Sequence, residues 1–225
     1  MKWRNWVRGP EIEPSLYAAD FARLGEQVEA LMDAGVRIFH FDVGDGHFVE
    51  PVTIGPIVLR SISGRVHERG GVLDCHLMVE NPDRHFSQIA DAGGDSVTFH
   101  VEVASDAAAS AARARELGLG VGFAFNPETA VADAVAAADG AELVLCMSIH
   151  PGYSGQTFLP ESLGRIAELR AALPEEVFVQ VDGGIGEENV AAVSEAGATL
   201  VVAGSAVFAA HDIAAAYRGL ARAVA

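Results

Sequence analysis

The sequence predicts a single-domain (β/α)8 TIM barrel. Eight short runs rich in Val, Ile, Leu and Phe alternate with helical segments along all but the first ten residues. Strands separated by helical stretches of about 10–15 residues imply right-handed βαβ crossovers and a parallel sheet. Several helical segments also end on glycine, at Gly35, Gly93, Gly118 and Gly197, where a left-handed C′ residue belongs. Eight such units in 225 residues fit a closed barrel. The competing open doubly wound sheet would need a G-x-G-x-x-G turn after its first strand, and none is present.

In chain order, IEPSLY at 12–17 reads as the first strand, followed by the helix FARLGEQVEALMDAG. RIFHFDV at 37–43 is the second, with a helix from Pro56, where a fixed φ and a missing N–H suit a first turn. GVLDCHLM at 71–78 precedes helical sequence around Pro82. SVTFHVE at 96–102 precedes the Ala-rich AAASAARARELG, whose apolar spacing is that of an ordinary helix. LGVGFAFN at 119–126 and ELVLCMSI at 142–149 lead into helices read from Pro127 and Pro160. VFVQVDGG at 177–184 and TLVVAGS at 199–205 complete the set before a last helix. Residues 1–10 stand outside this pattern as an N-terminal extension to a barrel domain at 11–225. They hold both tryptophans, Trp3 and Trp6, and read as a tail packed on the barrel floor or at a subunit interface.

Composition narrows the functions open to the chain. A formal net charge of −16 offers no basic patch for nucleic acid. The apolar runs are too short to span a bilayer, and MKWRNWVRGP is unlike a secretory leader, so a cytoplasmic protein with no membrane partner is expected. The two cysteines, Cys75 and Cys146, lie inside strand sequence and read as small buried hydrophobes rather than a disulfide. Lys2 is the only lysine. Schiff-base chemistry therefore has no candidate in the body of the chain. An anionic substrate must be held by a metal, backbone N–H groups or helix N-termini.

Reactive residues of such barrels stand at the C-terminal strand ends. His40 and Asp42 are two apart on the second run and share a face. His76 lies near the end of the third run and Asp182 near that of the seventh. Two imidazoles and two carboxylates suit one divalent ion, Zn2+, Fe2+, Mn2+ or Co2+, and spacing does not choose among them. On pattern alone, a ligand set and two satisfied core histidines are both open readings. His47, His100 and His150 read as structural. Glycine-rich loops follow the sixth, seventh and eighth strands, in MSIHPGYSGQTF, VDGGIGEENV and VAGSAVF. Glycine lets backbone N–H groups approach an anion, and barrels often hold phosphate at this place.

The stretches PSLYAADFARLGEQV, HFDVGDGHFVEPVTIGP, LDCHLMVENPDRHF, MSIHPGYSGQTFLPESLGRI, VDGGIGEENV and VAGSAVF resemble the ribulose-phosphate 3-epimerase family in order and spacing. The resemblance implies a (β/α)8 barrel that inverts C3 of a ketopentose 5-phosphate, D-ribulose 5-phosphate and D-xylulose 5-phosphate being first choice. It implies that His40, Asp42, His76 and Asp182 bind the metal. Asp42 and Asp182 are then the acid/base pair, working through an enediolate. Ser15 and His76 are expected to contact the sugar. Gly152, Tyr153, Ser154, Gly155, Gly183, Gly184, Gly204 and Ser205 are expected to hold the phosphate end. A homo-oligomer of a pentose phosphate pathway enzyme is also implied.

The chain departs from the family pattern in places. DVGDGHFVEP stands where DVMDGHFVPN is common, so Gly44 replaces a methionine and is expected to leave room beside the sugar. GFAFNPET replaces a GVALNP-like form, and Ser154 stands where glycine is frequent. These changes keep open another ketose phosphate, such as D-allulose 6-phosphate. A barrel decarboxylase or aldol-type synthase would carry a D-x-K-x-x-D run, and Asp42-Val43-Gly44-Asp45 has no lysine. A non-catalytic sugar-phosphate-binding barrel is the remaining alternative.

Overall fold

The structure, a computed structural model, describes residues 2–138 and 140–225. Eight parallel strands run β1 Glu11–Pro14, β2 Ile38–Gly44, β3 Val72–Met78, β4 Ser96–His100, β5 Gly120–Phe125, β6 Leu143–Met147, β7 Phe178–Asp182 and β8 Leu200–Ala203. Among the described residues the helices are α1 Trp3–Trp6, α2 Leu24–Asp33, α3 Pro56–Glu68, α4 Phe86–Ala92, α5 Ala107–Glu116, α6 Val131–Ala137, α7 Ser162–Ala172, α8 Val190–Glu195, α9 Ser205–Phe208 and α10 Ile213–Ala223. The strands pair in the order β1-β8-β7-β6-β5-β4-β3-β2. A single parallel bridge from Ser15 to His40 joins β1 to β2 and closes the ring. All eight expected strands are present, and the fold is a (β/α)8 barrel.

Apart from β2 and β3, the strands end earlier than the apolar runs of the sequence suggest. The chain turns away where function is expected: into a 3-10 turn at Leu16–Ala18, another at Val101–Val103, and left-handed backbone at Gly183 and Gly184. The four helix-ending glycines have positive φ, 109° at Gly35, 90° at Gly93, 76° at Gly118 and 114° at Gly197. Pro56 is the first residue of α3. The other prolines sit earlier than expected. Pro82 opens a 3-10 turn, and α6 and α7 begin only at Val131 and Ser162. A proline disfavours helical backbone in the residue before it, so it marks a turn as readily as a first helical turn.

Strand alternation splits the core into two layers. Outward side chains such as Phe39, Phe41, Leu73, Val97, Phe123 and Val144 pack under the helices. Cys75 and Cys146 belong to this layer as buried free thiols. Inward side chains fill the barrel. At its N-terminal end these are Ile38, Val72, Leu143 and Leu200, joined by Trp3. Trp3 is fully buried, its backbone N–H donates to Glu142 Oε2 at 3.2 Å, and Trp6 meets its ring edge-on at 5.3 Å. Gly120 makes this plug possible: a Cβ there would sit 3.1 Å from Trp6 and 3.2 Å from Trp3 Nε1. The residues before β1 thus cap the floor of the barrel, away from the strand ends that carry the polar set.

Losing a buried tryptophan leaves a cavity that its neighbours fill only in part. Trp3→Ala is expected to lower stability by about 3 kcal/mol, or roughly 6–12 °C in Tm for a chain of this size. Thermal unfolding of the variant measures it. A Tm unchanged from wild type would mean that the plug carries no weight.

Candidate metal centre

Pleating points His40 and Asp42 of β2, Asp74, His76 and Met78 of β3, and Gln180 and Asp182 of β7 into the barrel. Register places His40 opposite Asp74 and Asp42 opposite His76. The ring brings Asp182 across to them. Ligand-type atoms of His40, Asp42, His76 and Asp182 all lie within 4.8 Å of one another. His40 Nε2 and His76 Nδ1 are each 3.2 Å from Asp42 Oδ1, and 4.0 and 3.9 Å from Asp182 Oδ2. Four-coordinate binding with bonds of about 2.0–2.1 Å needs donors roughly 3.3 Å apart. These separations bracket that value. The four residues expected from the sequence therefore form one group able to hold a divalent metal.

An orphaned atom supports the fit. His40 is fully buried, and its Nε2 has no hydrogen-bond partner. Its other nitrogen, Nδ1, faces Asp74 Oδ2 at 3.1 Å. Nε2 is therefore the nitrogen turned toward the cluster. Burial alone would lower the His40 pKa, but the charge of Asp42 and contacts with Asp42, Asp74 and Glu13 raise it well above 6.5. Burial would raise Asp42. The charge and hydrogen bonds of His40 and His76 win, and the carboxyl is held far below its usual range. Burial lowers His76. The Asp182 side chain keeps 17% exposure, yet burial, then the Asp42 carboxylate, pushes it up to about 7. Without an ion, this corner crowds like charge and holds protons that a cation would displace.

A second group, Glu13, His40 and Asp74, lies deeper and is also close enough to share an ion. Most of its oxygens are already occupied. Asp74 Oδ1 accepts from Ser96 Oγ at 2.7 Å and Thr98 Oγ1 at 3.4 Å, and Oδ2 accepts from Gln180 Nε2 at 2.9 Å. The same Gln180 Nε2 donates to Glu13 Oε2 at 2.5 Å. Burial pushes Glu13 up to about 7, toward the neutral acid. This layer is a hydrogen-bonded support under the upper group.

Above the cluster opens a narrow cleft with a cavity volume of about 50 Å3. Asp42 and Asp182 reach it, as do Ser15, Gly152, Tyr153, Ser154, Gly155, Gly183, Gly184, Gly204 and Ser205. Met78, Met147, Ile149, Ile185 and Val202 supply apolar lining. Left-handed backbone at Gly152, Gly155, Gly183 and Gly184 (φ 126°, 83°, 123° and 66°) bends the two loops round one end. Ser15 Oγ donates to Asp42 Oδ2 at 2.6 Å. His76 does not line the cleft: Asp42 covers its Nδ1, and its Nε2 lies 2.9 Å from His100 Nε2.

One expectation is corrected. The space beside Gly44, expected to be open, is filled. A Cβ there would lie 2.9 Å from Val49, 3.0 Å from the Pro51 carbonyl and 3.0 Å from Thr53. The segment after β2 folds back into that space, tied by Thr53 Oγ1, which accepts from Gly44 N at 2.6 Å. Tyr17, Asp74, Glu13 and Gln180 are site residues that sequence reading missed. Asp74 was the accessible one, since it stands two before His76 and shares its face.

The sequence profile of the ribulose-phosphate 3 epimerase family matches residues 11–208. The chain is 39% identical over 200 residues to a ribulose-phosphate 3-epimerase of Escherichia coli K12, covering 88% of each. It is 37% identical over 220 residues to ribulose-phosphate 3-epimerase 2 of Cupriavidus necator, covering 95% of this chain and 90% of that one. Among solved structures it resembles a 3-hexulose-6-phosphate synthase from Salmonella typhimurium, with TM-score 0.72, 19% identity and coverage of 95% and 98%. It also resembles KGPDC from Streptococcus mutans, with TM-score 0.72, 12% identity and coverage of 96% and 98%. At those identities the structural likeness is one of fold, while the sequence matches reach further: the chain belongs to the ribulose-phosphate 3-epimerase family.

Proposed function

We propose that the barrel at 11–225 interconverts D-ribulose 5-phosphate and D-xylulose 5-phosphate by moving protons at C3, residues 1–10 being an extension to it. One observation carries this reading. Two carboxyl groups, Asp42 and Asp182, meet at the floor of a cleft lined in part by apolar side chains, with a cation-ready pair of imidazoles beneath them. Inverting a carbon next to a ketone needs a proton taken from one face and another delivered to the opposite face. Two carboxyl groups beside one reacting carbon can serve in turn as proton acceptor and proton donor.

The chain's own groups supply the rest. Ser15 Oγ, donating to Asp42 Oδ2, fixes the plane of that carboxylate. Met78, Met147 and Ile149 keep water from the carbanionic carbon. The glycine loops at 152–155, 183–184 and 204–205 would seat the phosphate on backbone N–H groups, the means open to a cleft with no lysine. A divalent ion on His40, Asp42, His76 and Asp182, whether Zn2+, Fe2+, Mn2+ or Co2+, would polarise the ketone and stabilise charge developing on its oxygen. The space at Gly44 is filled, so a bulkier ketose phosphate gains no room there. A homo-oligomer in the cytoplasm belongs to the same reading. Among the described residues no helix is long and apolar enough to cross a membrane.

Incubation with D-ribulose 5-phosphate in D2O is expected to place deuterium at C3, while Asp182→Asn loses at least about 100-fold in exchange rate. Full exchange in that variant would remove Asp182 from the reaction. Absence of exchange in metal-loaded wild type would rule out this sugar.

The site also predicts a pH dependence. In the metal-free protein Asp182 has a pKa raised from 3.8 to about 7, so its favourable contribution is complete below 3.8 and gone above about 7. His40, raised above 6.5, works in the same direction: its contribution is complete below 6.5 and lost as pH rises through its folded value. Metal binding must displace such protons, at about tenfold in affinity per pH unit for each one. The Tm increase given by Co2+ or Zn2+ is therefore expected to grow as pH is raised from about 6 to about 8. An increment independent of pH would contradict this charge balance.

A further inference from the structure

We propose that His100 and Glu102 are positioning residues for His76, selecting the ring tautomer that leaves Nδ1 bare for a cation. The proposal rests on the reading of His40, Asp42, His76 and Asp182 as metal ligands.

His76 differs from His40 in how it meets the cluster. His40 offers Nε2 and has Asp74 on Nδ1, a carboxylate that accepts the ring proton. His76 faces the cluster with Nδ1, 3.2 Å from Asp42 Oδ1. Its proton must then ride on Nε2, and a buried N–H without an acceptor is costly. The partner in reach is His100 Nε2, at 2.9 Å. The two rings lie end to end: their centroids are 5.1 Å apart and their planes differ by 21°, a line suited to N–H···N rather than to face stacking.

His100 accepts that proton only if its own sits on Nδ1. Glu102 provides for this. Its Oε1 is taken by the backbone N–H of Asn126 at 2.7 Å and by the Thr129 hydroxyl. Its Oε2 is left 3.3 Å from His100 Nδ1, which has no other partner. The contact is long and bent, so Glu102 biases the tautomer by charge more than by a full hydrogen bond. Phe48, from the segment after β2, lies against the His100 ring at 4.6 Å and helps close this row. His100 is fully buried, and its Nε2 is directed at His76 rather than at the cluster, so it is no fifth ligand. The row Glu102, His100, His76 does for the second imidazole what Asp74 does for the first. Partners that orient a ligating imidazole in this way are usually worth about 10–100-fold in metal affinity.

Competition with a chromophoric chelator would measure Co2+ and Zn2+ affinity of wild type, His100→Leu, His100→Gln and Glu102→Gln. His100→Leu, with no acceptor, is expected to bind about 10–100-fold more weakly. His100→Gln, whose amide oxygen can accept from Nε2–H, is expected to recover most of the loss, and Glu102→Gln to fall between. Nitrogen-15 NMR of the metal-loaded wild type is expected to find the His76 proton on Nε2. Equal weakening in both His100 variants, or none in either, would overturn the proposal, as would a His76 proton on Nδ1. Should His100→Leu not fold, the glutamine variants and the wild-type NMR decide alone. A wild type that takes up no ion overturns the ligand set itself. Tight binding by wild type and His100→Leu alike overturns only the positioning role.

Discussion

Four carboxyl groups, of Glu13, Asp42, Asp74 and Asp182, face the inside of one barrel, and no lysine or arginine is buried among the described residues to balance them. Unpaired buried charge is costly enough that each group must be neutralised or solvated by the protein. The barrel uses a different means at each level. Glu13 is pushed toward the neutral acid. Asp74 is held by Ser96, Thr98, Gln180 and His40. Asp42 and Asp182 are left with two imidazoles and a cleft, a balance that a divalent cation would complete. The lower level fixes His40. In the proposed reading His40 and His76 would fix the place of an ion, and that place would fix where a ketose could react.

This ordering explains why the polar set sits where it does. An apolar layer of Ile38, Val72, Leu143, Leu200 and Trp3 closes the N-terminal end of the barrel. The cleft opens on the side of the glycine loops. The reacting end therefore has a rigid polar base and apolar flanks, with Tyr153 and Glu50 meeting across the mouth at 3.4 Å. Pro51 and Val49 lie against Gly152, so the segments after β2 and β6 share one surface above the cluster.

The parts readable in the sequence are those set by local rules. Strand runs, left-handed glycines at helix ends and the same-face pair His40 and Asp42 follow from periods of two and 3.6 residues. The parts that escaped depend on closure of the ring. Gln180 meets Glu13 across 167 residues, a contact no local period announces. His100 reads as a structural histidine until the ring sets it end to end with His76. Gly44 reads as missing bulk because the sequence does not say that Val49, Pro51 and Thr53 return to the space. Pro127 and Pro160 mark turns ahead of helices rather than their first residues, since proline serves both places.

The central claim is that one cation balances Asp42 and Asp182 between His40 and His76. Anomalous diffraction from crystals grown with Co2+ or Zn2+ tests it most directly. The account predicts one strong peak inside the barrel, bonded to His40 Nε2, His76 Nδ1 and a carboxylate oxygen of each aspartate. A peak between Glu13, His40 and Asp74, or no interior peak at saturating metal, would contradict it.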